Sequence, residues 1–389
     1  MNILYFTNKP IYPIIDGGCV AMDSFLQNLI ALNYSITHLT LSTYKHPFLQ
    51  ENYPKKIQHN INIFSQEIDT RIKLIPSITH LFTSDSYNVS RFFDNSVAQI
   101  LSNLVSTYRV DIILIESAFL LCYTEEIRKF FSGKIILRAP NVEYKIWENY
   151  TEFETNPIKK WYLKLLSSKL KNFELQATKN IDGILTISAS DALLLKNEGV
   201  DTAIQNIPFS IELPIDKATC LPDHYFFIGA YNWKPNYDAA LYLMKELFPK
   251  IVENNSNAIL HIAGSYTPTS FYKYQRKEIK IYGKVENVKD FMLNHGTLLA
   301  PIQSGSGVRI KILEALSLGV PVIGTTIALQ GIASKSCIQA NSTEAFVRAI
   351  TNLRAKDIDF IQEETRNYIA THYQPKHIQQ KISEFIENI

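Results

Sequence analysis

Residues 298–325, LLAPIQSGSGVRIKILEALSLGVPVIGT, constrain this chain more than any other stretch. Residues 298–302 form a short apolar run, the size of a strand buried on both faces. A loop of small residues follows: Ser304, Gly305, Ser306 and Gly307. Across residues 308–318 apolar positions recur at helical spacing, and Gly319 stands where such a helix would stop. Residues 320–324 read as a second buried strand. Strand, loop, helix and strand make the repeating unit of a parallel α/β sheet. These units hold ligands beyond the carboxyl end of the strand, facing the helix amino terminus.

The loop chemistry suits an anion. Glycines let backbone N–H groups approach a phosphate closely, and a first helical turn adds unpaired donors and partial positive charge. Arg309 and Lys311 are expected in that turn, where a cation is unfavourable unless something negative binds nearby. Glu314 lies three residues after Lys311 on the same helix face. A carboxylate there can accept two hydroxyl hydrogen bonds, as a ribose diol requires. The plainer alternative is a solvated i,i+3 pair of Lys311 and Glu314, worth about a few tenths of a kcal/mol. A glycine-rich loop alone does not decide between them.

The run GSGVRIKILEALSLGVPVIGT, residues 305–325, resembles the donor-binding segment of glycosyltransferase family 4, the glycosyl transferases group 1 of the GT-B fold. The resemblance implies that Glu314 binds the nucleotide ribose. It also implies that the loop Ser304, Gly305, Ser306 and Gly307 wraps the diphosphate and donor sugar. Many members carry a second glutamate eight residues before the first; here that position is Ser306. The chain is similar instead to a subgroup with a small-residue loop followed by Arg-x-Lys, which makes Arg309, Lys311 and Glu314 the candidate catalytic residues. Family membership would further imply retention of anomeric configuration, a nucleotide-diphosphate sugar as co-substrate, no other cofactor and no obligatory metal.

At 389 residues the chain exceeds the size of a single core, so two domains are expected. A net charge of +2 gives no general case for nucleic acid as a partner. Four cysteines, far apart and without a CxxC pair, fit a reducing compartment better than disulfides or zinc. The first residues run straight into strand pattern, with no basic segment or cleavage site. The most apolar stretch, residues 112–123, is broken by Glu116 and too short to span a bilayer. A cytoplasmic enzyme working in solution or at the inner face of the membrane is the expectation.

The rest of the chain supplies further candidates. A strand at residues 3–7 precedes Gly17 and Gly18, and residues 19–32 have helical periodicity. This is either a second anion cradle or a plain turn before a helix. In the resembled family a Gly-Gly loop here faces the donor phosphates. Residues 43–87 are irregular apart from a strand signal at 61–64, and long irregular segments often shape substrate sites. Residues 86–92 resemble a segment that some members place near the cleft; alternatively Arg91 only caps or solvates a helix. Strands at 111–115 and 134–137 flank an expected crossover helix at 117–131. The following Arg138-Ala139-Pro140-Asn141-Val142-Glu143 is similar to a family Asn-Val-Glu usually preceded by histidine. Pro140 has no titratable group, so no histidine catalysis transfers here, while Asn141 and Glu143 remain candidate cleft residues.

Residues 157–176 are amphipathic. Ile158, Trp161, Tyr162, Leu165, Leu166, Leu170 and Phe173 are expected on one side, with five lysines mostly opposite. Such a helix either lies on an anionic membrane surface or packs its stripe inward and solvates its lysines. Residues 213–222, with two prolines, read as a linker. In the second half, residues 229–236 (GAYNWKPN) resemble the first loop of the family's nucleotide domain. Lys234 approximates a diphosphate-binding lysine there, Ala230 stands at the usual arginine position, and Asn236 is expected to cap the next helix. His261, inside a strand at 258–263, reads as a buried structural histidine. Gly283 and Val285 resemble the turn that meets the base, and residues 327–331 the loop closing the donor pocket. Helices are expected at 343–353, 358–372 and 375–389.

The sequence thus points to an α/β chain of two Rossmann-like domains facing a cleft (GT-B). An acceptor-binding domain is expected at 1–214, a nucleotide-sugar-binding domain at 215–372, and a helix at 373–389 returning to the amino-terminal domain. The expected donor-binding residues are Gly17, Gly18, Lys234, Gly283, Val285, Ser304, Gly305, Ser306, Gly307 and Glu314. The expected reaction moves a hexose from a nucleotide sugar to a glycan or lipid-linked acceptor, as in cell-surface polysaccharide or glycoconjugate synthesis. A nucleotide-sugar epimerase of the same fold would instead isomerise the donor with no acceptor present. A non-catalytic partner of the same fold would bind donor without turnover.

Overall fold

The computed structural model describes all residues except 72–85, 220, 306 and 355–357. Ser306 and residues 72–85 of the irregular stretch therefore lie outside the described residues. The chain forms two compact units: 1–14, 18–209 and 378–389 in the first, 15–17 and 210–377 in the second.

Seven parallel strands build the first unit: β1 (Asn2–Thr7), β2 (Ser35–Ser42), β3 (Ile61–Glu67), β4 (Ile112–Glu116), β5 (Lys134–Ala139), β6 (Gly183–Thr186) and β7 (Ala203–Asn206). Their order is β3-β2-β1-β4-β5-β6-β7. Six parallel strands build the second: β8 (His224–Ile228), β9 (Ile259–Ala263), β10 (Ile279–Gly283), β11 (Thr297–Ala300), β12 (Val322–Gly324) and β13 (Ile338–Gln339), ordered β10-β9-β8-β11-β12-β13. Helical crossovers cover both faces of such sheets, which is why β4 and β8 are nearly unbroken apolar runs with every central side chain buried. Each sheet reverses its strand order once, between β1 and β4 in one and between β8 and β11 in the other.

A charged pair interrupts the first core. Thr7 pairs in register with Glu116, and Glu116 with Arg138. Glu116 and Arg138 form a buried ion pair. The Tyr5 hydroxyl donates to Glu116 Oε2 at 2.6 Å, and Arg138 Nη2 donates to the carbonyl of Ala21 at 3.1 Å. Burial raises the Glu116 pKa, and the Arg138 charge opposes that rise. In the second unit His261 is buried as expected. It bonds His224 Nδ1 at 2.9 Å and the Tyr282 hydroxyl at 2.8 Å, with the His295 ring 4.4 Å away.

Several expectations change. The break between units falls after Phe209, and the proline-containing stretch is not a free linker. Ile211 N–H donates to the Tyr373 carbonyl at 2.8 Å, Ala218 N–H to Leu318, and Arg366 Nη2 to the Pro214 carbonyl at 2.6 Å. These bonds fasten it to the second unit. Residues 117–131 are not one helix. Ser117 takes a positive φ of 96°, a 3₁₀ turn spans Ala118–Tyr123, and a short helix Thr124–Arg128 follows. The Tyr123 hydroxyl donates to the Phe92 carbonyl, and Phe119 stacks on Phe92, so local packing overrides the helical pattern. The last helix, Pro375–Asn388, buries Ile378, Ile382, Phe385 and Ile386, and from Ile378 onward belongs to the first unit. The Phe385 ring fills the space a side chain at Gly183 would need, 2.7 Å from that missing Cβ.

Candidate functional site

The strand-order reversal of the second unit lies between β8 and β11, the place where open α/β sheets hold ligands beyond their strand ends. Two loops leave the sheet there: residues 229–233 after β8, and 301–309 after β11. The helix Ile310–Ser317 follows the second loop, with Arg309 as its N-cap in extended conformation rather than inside its first turn. Gly305 and Gly307 both have positive φ, 100° and 80°, backbone that glycine adopts without strain ahead of the helix.

Arg309 folds back over this turn. Its Nη1 donates to the Gly307 carbonyl at 2.8 Å and its Nη2 to Ser304 at 3.4 Å. Lys311 reaches the other loop. Its Nζ donates to the Ile228 carbonyl at 2.8 Å and to Asn236 Oδ1 at 2.7 Å, and it lies 4.1 Å from the Phe227 ring centroid. Gly229 leaves room for this reach, because a Cβ there would stand 2.9 Å from the Lys311 amine. Burial, reinforced by Arg309, pulls the Lys311 pKa down to about 7. An ammonium has three N–H donors, and two are used here.

Glu314 is one helical turn further along. Its carboxylate takes no hydrogen bond from the described residues, and burial pushes its pKa up to about 7, with Lys289 partly offsetting the rise. Lys311 and Glu314 are therefore not the solvated i,i+3 pair: each is held away from its preferred charge state. An anion beside Lys311 and a hydroxyl pair on Glu314 would relieve both.

The other expected residues divide. Gly283 ends β10 at φ 69°, and its carbonyl accepts from Gly264 N–H at 2.7 Å, with Val285 just beyond. Lys234 is an exposed side chain paired with Asp238 at 2.7 Å, four residues along its own helix, and it does not join Lys311. Asn236 is not an N-cap. Trp233 holds that place, and Asn236 sits in the first turn of Lys234–Tyr242 as the acceptor for Lys311. Gly17 and Gly18 are not a loop but the opening residues of the helix Gly17–Ala31.

In the first unit, Asn141 and Glu143 follow β5. Glu143 begins the helix Glu143–Phe153, and burial raises its carboxyl to about 7. Glu174, which the sequence reading missed, accepts from the N–H groups of Glu143 and Tyr144 at 3.2 and 3.1 Å. Burial, and then the Glu143 charge, raise its own pKa to about 8. A buried glutamate inside an otherwise apolar helix face was the only available signal.

Comparison with known proteins adds to this geometry. Residues 222–356 match the family model described as Glycosyl transferases group 1. No curated protein matches the sequence. Among solved structures, the sucrose-phosphate synthase from Thermosynechococcus elongatus is similar with a TM-score of 0.71 at 12% identity, covering 100% of this chain and 98% of that one. S. aureus TarM, in a complex that includes UDP, is similar at 0.67 and 10%, covering 99% and 100%. Anabaena HepE in complex with UDP gives 0.68 and 10%, covering 100% of both chains. At such identities the likeness speaks for the fold. Residues 222–356, most of the second unit, thus resemble the glycosyl transferases group 1, and the two Rossmann-like units have the GT-B fold.

Proposed function

We propose that this enzyme moves a hexose, with retention of configuration, from a nucleotide-diphosphate sugar to a glycan or lipid-linked acceptor in the cytoplasm. The role in cell-surface polysaccharide or glycoconjugate synthesis belongs to the same proposal. The observation that carries it is the juxtaposition, at the sheet's reversal point, of Lys311, which donates to the Ile228 carbonyl and Asn236, and Glu314, whose carboxylate accepts no hydrogen bond among the described residues. The diphosphate would sit on the Ser304–Gly307 turn and the helix amino terminus, with the ribose on Glu314 and the base toward Gly283 and Val285. Lys311 and Arg309 would offset the charge that grows on the departing diphosphate. Losing one such donor commonly costs about 3 kcal/mol, a few hundredfold in rate. With proline at position 140 no histidine serves there, and the leaving diphosphate itself would help take the acceptor proton. No metal is needed in this scheme. TarM and HepE carry UDP, which makes UDP-sugars the first donors to try.

A thermal-shift screen against nucleotide sugars tests the reading. One donor should raise the melting midpoint of the wild type and leave Glu314→Ala unmoved. Full stabilisation of Glu314→Ala by the same donor would remove Glu314 from the ribose site and the proposal with it.

A further inference from the structure

The helix Pro157–Ala177 in the first unit buries Leu166, Ser167, Leu170, Glu174 and Ala177. At about 100° per residue these occupy one arc of its surface. Ile158 and Trp161, expected on that arc, lie on the opposite one, 78% and 61% exposed. Lys160, Lys164 and Lys171 line one flank of that exposed arc and Lys169 the other, Lys159 stands at the helix start above the buried arc, and the helix's one carboxylate, Glu174, faces the interior. Lys159 pairs with Glu154 and Lys171 with Glu198, but Lys160 and Lys164 meet no carboxylate among the described residues. The exposed tip is firmly built. Asn156 Oδ1 accepts from the N–H groups of Ile158 and Lys159 at 3.0 and 3.1 Å, and Pro157 opens the helix.

We propose that this face docks on an anionic lipid bilayer, with Trp161 and Ile158 in the headgroup layer and the lysines over lipid phosphates. Indole is suited to such an interface, and lysines spread along one helix face are attracted by a sheet of negative charge. Two apolar side chains offer too little surface for a stable protein interface. The inference goes beyond the transferase reading and is tested without donor or acceptor, so either can fail alone.

The full chain is sedimented with vesicles of phosphatidylcholine, with and without phosphatidylglycerol. It should pellet with the anionic vesicles only, and added salt should weaken that binding. Trp161→Ala and the pair Lys160→Glu with Lys164→Glu should each reduce it, the charge-reversed pair by on the order of tenfold or more. Because these side chains are exposed, melting midpoints should stay at the wild-type value. The proposal is overturned if anionic vesicles bring down no protein, or if the variants pellet as the wild type does. It is also overturned if Trp161→Ala disperses a concentration-dependent dimer that ignores vesicles, which would give the face to a second copy.

Discussion

Single side chains set both the chemistry and the stability of this enzyme. Folding raises the Glu314 pKa to about 7 from an ordinary value of about 4.3, so its contribution to stability is full below the lower pH and lost as pH rises through the higher. The melting midpoint of ligand-free protein should therefore step downward across that window, and Glu314→Gln should make the step smaller, leaving the part due to Glu143 and Glu174, whose pKa values are raised in the same direction. A saturating donor should shrink the step, because ribose hydroxyls donating to the carboxylate favour its charged form. An unchanged profile in Glu314→Gln would assign the step elsewhere. Deeper in the first unit, Glu116→Gln should cost on the order of 3–5 kcal/mol, because Arg138 would be left buried without its counter-ion. Chemical denaturation reads this directly, and the Glu116→Leu, Arg138→Met double variant should recover much of the loss. Glu116 carried a signal in the sequence, a charge inside an apolar run, whereas Arg138 was read as following its strand and in fact lies within β5. Asn236 carried none: its role depends on Lys311, 75 residues later, and only the folded sheet brings them together.

Elements were more legible than their contacts. Residues 298–325 announced β11, the helix Ile310–Ser317 and β12 because buried strands and helix faces leave different apolar periods. The helix start was read two residues early, since Val308 fits the helical period, yet Arg309 stays extended and spends its guanidinium on the loop. In Pro157–Ala177 the apolar period named the helix correctly but misplaced Ile158 and Trp161, for period alone does not say which arc meets the core. Packing between elements gives a sharper test of the site. Lys311→Met should lower kcat by about two to three orders of magnitude, as for loss of one charge-stabilising donor. Gly264 stands at φ 150°, with a Cβ position only 1.8 Å from the Gly229 carbonyl. Gly264→Ala should therefore displace the 229–233 loop and weaken donor binding while Lys311 and Glu314 remain in the chain, as calorimetric titration with the donor would show. Unaltered donor affinity would mean that this loop is not part of the site.

At the scale of the molecule, the units are not successive segments of the chain. Residues 378–389 complete the first unit, although the whole of 210–377 comes before them. Removing them would expose the surface now covered by Ile378, Ile382, Phe385 and Ile386, each worth about 1.5–3 kcal/mol when fully buried. Hydrogen exchange on the truncated protein should show β6 and its neighbours losing protection while the second sheet keeps its own. Equal loss in both sheets would show that this helix supports more than the unit it packs on. The arrangement also orders events during synthesis. The ribosome delivers the second unit whole, with every strand it needs, before the final helix of the first has left the exit tunnel. The unit whose chain begins first is the last to finish, and until then an apolar groove beside β6 waits open to chaperones and to other nascent chains.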